Sequence, residues 1–168
     1  NNALEQKVTK FLMPNIDNTT LNNMVLLCKK YRERLFPMIG LHPCSVSENY
    51  LEQLEKLYSN INQYEFIGIG EVGLDLYWSK KFIKEQKEAF RIQIKWANQH
   101  NLPLVIHSRN SFNEIYGVFF IFALLSFLSN LISYFNILKH SNLNKKDIKN
   151  IIRPLIILSV VIIKFISE

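Results

Sequence analysis

The chain has 168 residues, of which 48% are hydrophobic, and a formal net charge of +6. Residues 1–116 carry +2 of this charge and residues 117–168 carry +4. No dense basic cluster with interleaved aromatic residues occurs, so composition alone gives only weak support for nucleic-acid binding. The isolated Cys28 and Cys44 lack the spacing of a zinc knuckle or a disulfide framework, which favours a reducing, cytoplasmic location.

The first half of the chain alternates short strands with helices. Residues 10–13 predict a strand, and Asn18 or Thr19 is expected to cap a helix whose apolar residues recur at helical spacing up to Cys28. Residues 36–41 predict the next strand, which ends at His42 and Pro43. A helix is expected to begin after it at Ser45 or Ser47.

The alternation continues to about residue 116. Residues 64–70 predict a strand without polar alternation, as expected for a strand buried on both faces of a parallel sheet. Ser79 is expected to cap the longest helix, over residues 80–100, and residues 104–106 predict the last strand. Four strands that alternate with three helices indicate an α/β fold with a parallel sheet.

Two residues that bind divalent metals follow two of these strands. Glu71 and His107 each end an apolar run, and the carboxyl ends of parallel strands meet at one edge, where barrel enzymes hold their chemistry. Both residues are therefore candidate metal ligands. From spacing alone, a strand-end carboxylate satisfied by the backbone or by a lysine is an equally good interpretation of Glu71.

Residues 115–138 have a different character, because no charged side chain occurs in this stretch of 24 residues. About 20 apolar residues suffice to cross a membrane, and the lysines and the arginine that follow predict a cytoplasmic flank. The last 52 residues contain a single glycine and a single alanine, a bias that also arises when AT-rich DNA is read out of frame. We expect one domain over 1–116 and an apolar, basic tail over 117–168, which is either membrane-spanning or out of frame.

Four motifs in order resemble the TatD family of metal-dependent hydrolases and deoxyribonucleases. They are Ile-Gly-Leu-His-Pro at 39–43, Ile-Gly-Glu-Val-Gly-Leu-Asp at 69–75, the helix with Gln86, Phe90 and Gln93, and Leu-Pro-Leu-Val-Ile-His-Ser-Arg at 102–109. Several motifs in the correct order are more specific than any one of them. The resemblance covers residues 1 to about 116.

The resemblance implies a (β/α)8 barrel, of which this chain would supply a partial TIM-like barrel, roughly strands 2 to 5, followed by an apolar helical tail. A complete barrel typically has about 250 residues. Of the family's metal ligands, only Glu71 and His107 carry over to this sequence, as catalytic residues and as ligands of divalent ions (Mg, Mn or Zn). We therefore expect a truncated chain that is inactive or nearly so.

The resemblance implies cleavage of DNA or of a small phosphate ester, and further residues are candidates for substrate contact. Arg109 has a planar fork that suits a phosphate, although a salt bridge at the rim is an equal alternative. His42 is expected to pack in its loop or to contact substrate. Asp75 and Tyr77 could line the site, but stabilisation of the turn is the favoured role.

Two alternatives to an enzyme remain. A membrane-anchored, non-catalytic protein would span the bilayer near residues 115–138, and a membrane partner is expected only in that case. A pseudogene remnant would have arisen by a frameshift at Phe119 or Phe120, where agreement with the family stops. Membrane partitioning of the expressed chain would separate the membrane-anchored protein from the enzyme, and translation of the same DNA in the other forward frames would test the frameshift.

Overall fold

The computed structural model describes residues 2–121. Its elements in chain order are α1 (Asn2–Glu5), β1 (Phe11–Pro14), α2 (Leu21–Lys30), β2 (Leu35–Ile39), a short 3-10 helix (Pro43–Ser45), α3 (Tyr50–Tyr58), β3 (Gly68–Asp75), α4 (Ile83–His100) and β4 (Leu104–Arg109). Residues 112–121 are helical. Residues 2–115 and residues 116–121 fall in two different compact units, and the sheet lies in the first.

The four strands form one parallel sheet in the order β1-β2-β3-β4. Each strand therefore pairs with the next one in the chain, and a helix lies between each consecutive pair of strands. A doubly wound sheet would reverse its strand order, whereas a (β/α) barrel adds strands in sequence. The expected α/β fold with a partial TIM-like barrel is confirmed.

The core lies between the sheet and α4, because β3 and α4 carry apolar residues where they meet. Seven of the eight residues of β3 are buried, as expected for a strand covered on both faces. The charged residues of α4 lie mostly outside the buried set, which makes the helix amphipathic. Fully buried apolar side chains of this core are Ile39, Leu41, Ile69, Leu74, Phe90 and Ile106.

Strand β3 begins later than the predicted residue 64, at Gly68, and both β3 and β4 extend past their predicted ends at residues 70 and 106. Glu71 and His107 lie inside these strands rather than at their ends, because pairing continues to Asp75 and Arg109. Gly73, which pairs with His107, makes this continuation sterically feasible: it has a φ of 138°, and a Cβ at this position would collide with the His107 carbonyl oxygen.

Two helices begin later than expected. Helix α3 begins at Tyr50 rather than near Ser45 or Ser47, because Pro43–Ser45 forms the 3-10 helix first. Ser79 accepts a hydrogen bond from the Lys81 amide in the turn before α4, which itself begins at Ile83.

The residue at the N-cap of α2 is also different from the expected Asn18 or Thr19. Thr20 occupies this position, and its hydroxyl donates to the side chain of Asn15 instead of capping the helix. The first turn of α2 is thus tied to the residue that follows β1.

Within residues 2–121 we find no helix that combines the length and the apolar character needed to cross a membrane. Most of the alternative span at 115–138 lies outside the described residues, as does nearly all of the tail at 117–168. The domain boundary, the membrane span and the frameshift therefore stay predictions.

Candidate metal centre

Strands β3 and β4 bring Glu71 and His107 together. The strands pair in parallel with Gly73 opposite His107, which places Glu71 two residues before the paired position. The Nδ1 atom of His107 lies 3.4 Å from Oε1 of Glu71, and the two side chains are 13% and 22% exposed. The pair therefore occupies a half-buried position that solvent can still reach.

His42 joins this pair from the turn after β2. Its ring centroid lies 4.5 Å from that of His107, with the rings at 67° to each other. One ligand atom from each of His42, Glu71 and His107 falls within 4.8 Å of the other two, and this is the one such group among residues 2–121.

The spacing of these three side chains fits a divalent ion with a small adjustment. Nitrogen and oxygen ligands lie about 2.0–2.2 Å from Zn²⁺, so two of them can be at most about 4.4 Å apart. The 4.8 Å spread would have to close by a few tenths of an ångström. Carboxylate and imidazole groups are suitable donors, so the site could hold such an ion.

Asp75 lies behind His107 and is 3% exposed. Its Oδ2 atom is 2.9 Å from Nε2 of His107 and accepts a hydrogen bond from Sγ of Cys44 at 3.3 Å, while Oδ1 accepts one from the amide of Tyr77. When Nε2 donates to Asp75, the neutral His107 ring keeps its lone pair on Nδ1, the nitrogen nearer Glu71. A carboxylate behind a ligating histidine commonly fixes the ring in this way.

The pKa values of the two histidines are shifted in opposite directions. Burial lowers the pKa of His107, but hydrogen bonds and charges from Glu71 and Asp75 raise it by more, so its pKa lies above the ordinary value. Burial lowers the pKa of His42, the neighbouring His107 lowers it further, and the net shift is downward. At neutral pH we therefore expect an uncharged His42, whereas a proton competes with any ion for His107.

The groups around Asp75 also shift its pKa and that of Cys44. Burial raises the pKa of Asp75, but the hydrogen bonds from His107, Cys44 and the Tyr77 amide lower it by more. Desolvation of the sulfur and the hydrogen bond to Asp75 raise the pKa of Cys44 to about 11, although the residue as a whole is exposed. The thiol is therefore protonated at neutral pH, and Asp75 is a carboxylate.

Two buried glutamines of α4 hold the backbone on either side of the site. Gln86 accepts from the amide of Asp75 at 3.0 Å and donates to its carbonyl at 3.3 Å. Gln93 accepts from the amide of Leu41, the residue before His42, at 2.6 Å and donates to its carbonyl at 3.3 Å. Each glutamine thus satisfies both backbone groups of one residue, so α4 fixes the positions from which the site side chains project.

Arg109 follows His107 by two residues, so both side chains leave the same face of β4. Its guanidinium carbon lies 3.9 Å from the ring centroid of Tyr77 and 5.3 Å from that of Trp78. Arg109 therefore stacks on aromatic rings at this edge of the sheet. The predicted phosphate contact and the alternative of a rim salt bridge both stay predictions.

The structure brings together Glu71, His107 and His42, and it adds Asp75, for which turn stabilisation had been the favoured role. Asp75 does stabilise the turn through Tyr77, but it also contacts His107. The sequence contains a partial indication of this contact, because residues 71, 73 and 75 alternate along one strand and so face the same side of the sheet. The Cys44 contact with Asp75 had no such signal, since 31 residues separate them.

These observations first define a class. A parallel sheet that adds strands in barrel order and gathers carboxylates and imidazoles near the carboxyl ends of its strands is a TIM-barrel-type domain with a candidate metal site.

The chain belongs to the family described as TatD related DNase, which matches residues 1–153. The resemblance identified from the motifs is thereby confirmed, and the match extends past residue 116. Two curated relatives, both named as metal-dependent hydrolases, are YabD of Bacillus subtilis and MG009 of Mycoplasma genitalium. YabD is 30% identical over 113 residues, which are 67% of this chain and 44% of YabD. MG009 is 32% identical over 127 residues, and the match covers 68% of this chain and 48% of MG009.

A solved structure is also similar to this chain over part of its length. The TatD homologue YjjV of Escherichia coli superimposes with a TM-score of 0.62 at 25% identity, covering 67% of this chain and 44% of YjjV. The chain therefore spans slightly less than half the length of the relatives it matches.

Proposed function

We propose that this chain carries one part of the active site of a metal-dependent hydrolase that cleaves DNA phosphodiester bonds. The observation that supports this most is the Glu71–His107 pair, in which the Asp75 carboxylate leaves Nδ1 of His107 available next to Glu71. The family description as a DNase favours DNA, and a small phosphate ester would be bound by the same chemistry.

Glu71 and His107 are the proposed ion ligands and catalytic residues. A divalent ion bound there would lower the pKa of a water molecule and stabilise the charge on the phosphate oxygens. Glu71 supplies a hard oxygen donor and His107 supplies a borderline nitrogen donor, a combination that Zn²⁺ and Mn²⁺ accept more readily than Mg²⁺. Asp75 keeps the His107 ring in the orientation and tautomer that ion binding requires.

His42 and Arg109 are the proposed substrate contacts. Nδ1 of His42 accepts a hydrogen bond from the Cys44 amide at 3.1 Å, so the neutral ring carries its proton on Nε2. That N–H can donate to a phosphate oxygen, whereas direct ion binding through Nε2 would break the bond to Cys44. Arg109 projects from the same strand face as His107, and its guanidinium fork suits a phosphate.

For the 168-residue chain itself, we expect weak ion binding and little or no turnover. Among the described residues, one three-residue group of metal-capable side chains is present, and the relatives are about twice as long as the part that this chain matches. The cytoplasm is the proposed compartment, supported by the two free thiols of Cys28 and Cys44.

Titration of the metal-free chain with Zn²⁺, Mn²⁺ and Mg²⁺, followed by calorimetry, tests the proposal. We expect binding of at least one ion to be lost in Glu71→Ala and in His107→Ala. Glu52→Ala is the matched control, because Glu52 is an exposed carboxylate that pairs with Lys56 on α3. Equal ion affinity in all four proteins would contradict the proposal.

Turnover provides a second measurement. We expect release of nucleotides from single-stranded DNA by the chain to be absent or barely above that of a chelated sample. Robust turnover that Glu71→Ala abolishes would confirm the role of Glu71 but would overturn the expectation that the chain is inactive.

A further inference from the structure

A hollow of about 250 Å³ adjoins the proposed ion site on its β2 side. The turn after β2 and the segment between β3 and α4 form its walls. Its apolar wall residues are Pro43, Val46, Trp78 and Phe82. Cys44 and Asp75 line the hollow as well, and both belong to the hydrogen-bond network behind His107.

The polar groups that line this hollow are already engaged in hydrogen bonds. The Cys44 thiol donates to Asp75, and the side chain of Gln86 binds both backbone groups of Asp75. The Ser79 hydroxyl accepts from the Lys81 amide. The hollow therefore offers apolar and aromatic surface more than hydrogen bonds, which suits a flat ring that binds by its faces.

Trp78 is the residue of these walls whose large apolar side chain is not needed for packing of the core. Its side chain is 72% exposed, and the neighbouring Tyr77 is 52% exposed, so neither ring contributes much to the core. Their centroids lie 4.8 Å apart at 87°. Exposed aromatic rings next to a phosphate-directed site are the usual means by which proteins stack unpaired nucleobases.

Positive charge lies next to the aromatic walls. The Arg109 guanidinium stacks over Tyr77 and near Trp78. The Lys81 ammonium lies 4.6 Å from the ring centroid of Phe82 and also pairs with the exposed Glu48 at 3.4 Å, a contact that a phosphate would have to compete with. A strand of nucleic acid places a negative phosphate on each side of every base, which matches cations at two aromatic walls.

The size of the hollow is also suitable. A protein cavity of about 150 Å³ accommodates benzene, so about 250 Å³ is enough for the ring of a base. We propose that this hollow binds one nucleobase of single-stranded DNA, stacked on Trp78, next to the phosphate that an ion held by Glu71 and His107 would attract. The proposal deepens the proposed function and rests on it for the position of that phosphate.

Two consequences follow from the chemistry of the walls. Because stacking rather than hydrogen bonding holds the base, we expect little preference among the four bases. A base inside a duplex is covered by its neighbours and cannot enter without being flipped out, so single strands are expected to bind more tightly than duplexes.

The test measures binding of the full chain to a fluorescein-labelled single-stranded oligonucleotide in the presence of a chelator, by fluorescence anisotropy. An abasic oligonucleotide of the same length keeps the phosphates and removes the bases. We expect tighter binding of the oligonucleotide with bases, roughly tenfold weaker binding in Trp78→Ala, and near-wild-type binding in Trp78→Phe, which keeps an aromatic face. Binding of the abasic oligonucleotide is expected to be the same in all three proteins.

Tyr31→Ala is the matched control, because Tyr31 is also an exposed aromatic residue with a cation over its ring, from Lys30. Tyr31 lies at the end of α2, just before β2 begins, and therefore at the amino ends of the strands, opposite the proposed site. We expect its binding to match that of the wild type. Equal binding of the two oligonucleotides by the wild type, unchanged binding in Trp78→Ala, or no binding at all would overturn the proposal.

The ion titration of the same proteins separates this proposal from the proposed function. Trp78→Ala is expected to bind ions as the wild type does. Loss of base discrimination with normal ion binding would leave the metal site intact, whereas base discrimination without any ion binding would contradict the proposed function alone.

Discussion

Two polar clusters lie along the carboxyl edge of the sheet, and they are built differently. The first follows β1: the buried Asn15 donates to the carbonyl oxygens of Asp17 and Gly40 and accepts from the hydroxyl of Thr20. The second spans β3 and β4, where His107 lies between the carboxylates of Glu71 and Asp75.

The difference distinguishes polar residues that stabilise the fold from polar residues that could bind a ligand. Asn15 directs its amide hydrogens to backbone carbonyls, which joins β1 to the residue after β2, and the hydroxyl of Thr20 at the start of α2 donates to it. In the second cluster, ionisable side chains face each other and leave ligand atoms close together. Bonds to the backbone indicate a role in stability, whereas converging ligand atoms indicate a role in binding. The following predictions test this comparison.

The largest effect is expected for Asn15→Ala. The substitution leaves buried acceptors, among them the Gly40 carbonyl, without their donor, at a cost of about 1–3 kcal/mol for each unsatisfied group. We expect the free energy of unfolding to fall by about 2–4 kcal/mol in denaturant titrations. Ion affinity of the folded protein should not change, and a large loss of ion affinity at unchanged stability would contradict the comparison.

Asp75→Asn addresses the second cluster with a side chain of the same size. An amide can donate to His107 as well as accept from it, so the ring is no longer held in one tautomer. We expect ion affinity to fall by roughly 10- to 100-fold, as for other residues that orient a ligating histidine. Calorimetric titration measures the affinity, and Asp17→Asn in the first cluster is the matched control, expected to leave it unchanged.

Gln93→Leu tests whether α4 links the fold to the site. The leucine leaves the amide and carbonyl of Leu41 unpaired, and we expect a loss of about 1–3 kcal/mol of stability in thermal or denaturant unfolding. Gln99→Leu, at an exposed position of the same helix, should cost much less. Equal effects at the two positions would show that the contact with Leu41 contributes little.

The smallest effect is a pH dependence of the metal-free chain. Because the pKa of His107 is raised above 6.5 in the folded state, its interactions with Glu71 and Asp75 stabilise the fold fully below pH 6.5 and lose this contribution as the pH rises through the folded-state pKa. We therefore expect the difference in Tm between the wild type and His107→Asn, measured with a chelator, to shrink from pH 6 to pH 8. A difference that grows over this range would contradict the charge assignment.

The sequence predicts local features well and the pairing between distant segments poorly. The apolar run before Glu71 and the periodicity of the helix with Gln86 and Gln93 were sufficient for the strand, the helix and their order, because burial determines both patterns. The same reasoning predicted Glu71 and His107 as neighbours at one edge.

What the sequence did not show depends on the register of β3 against β4. Gly73 allows the strands to pair up to Asp75 and Arg109, and this pairing brings Asp75 to His107. The approach of His42 depends on how Gln93 holds Leu41, a contact between residues 52 positions apart. Periodicity shows only that Asp75 faces the same side of β3 as Glu71. The contact of Asp75 with His107 and the approach of His42 both need the assembled tertiary structure.

The most direct test of the metal centre is nitrogen NMR of the imidazole rings in the ¹⁵N-labelled full chain, before and after addition of Zn²⁺. We predict that Nδ1 of His107 responds to the ion while Nε2 stays protonated and hydrogen-bonded to Asp75. An unchanged His107 ring, or ion binding through Nε2 with loss of the Asp75 contact, would contradict the account.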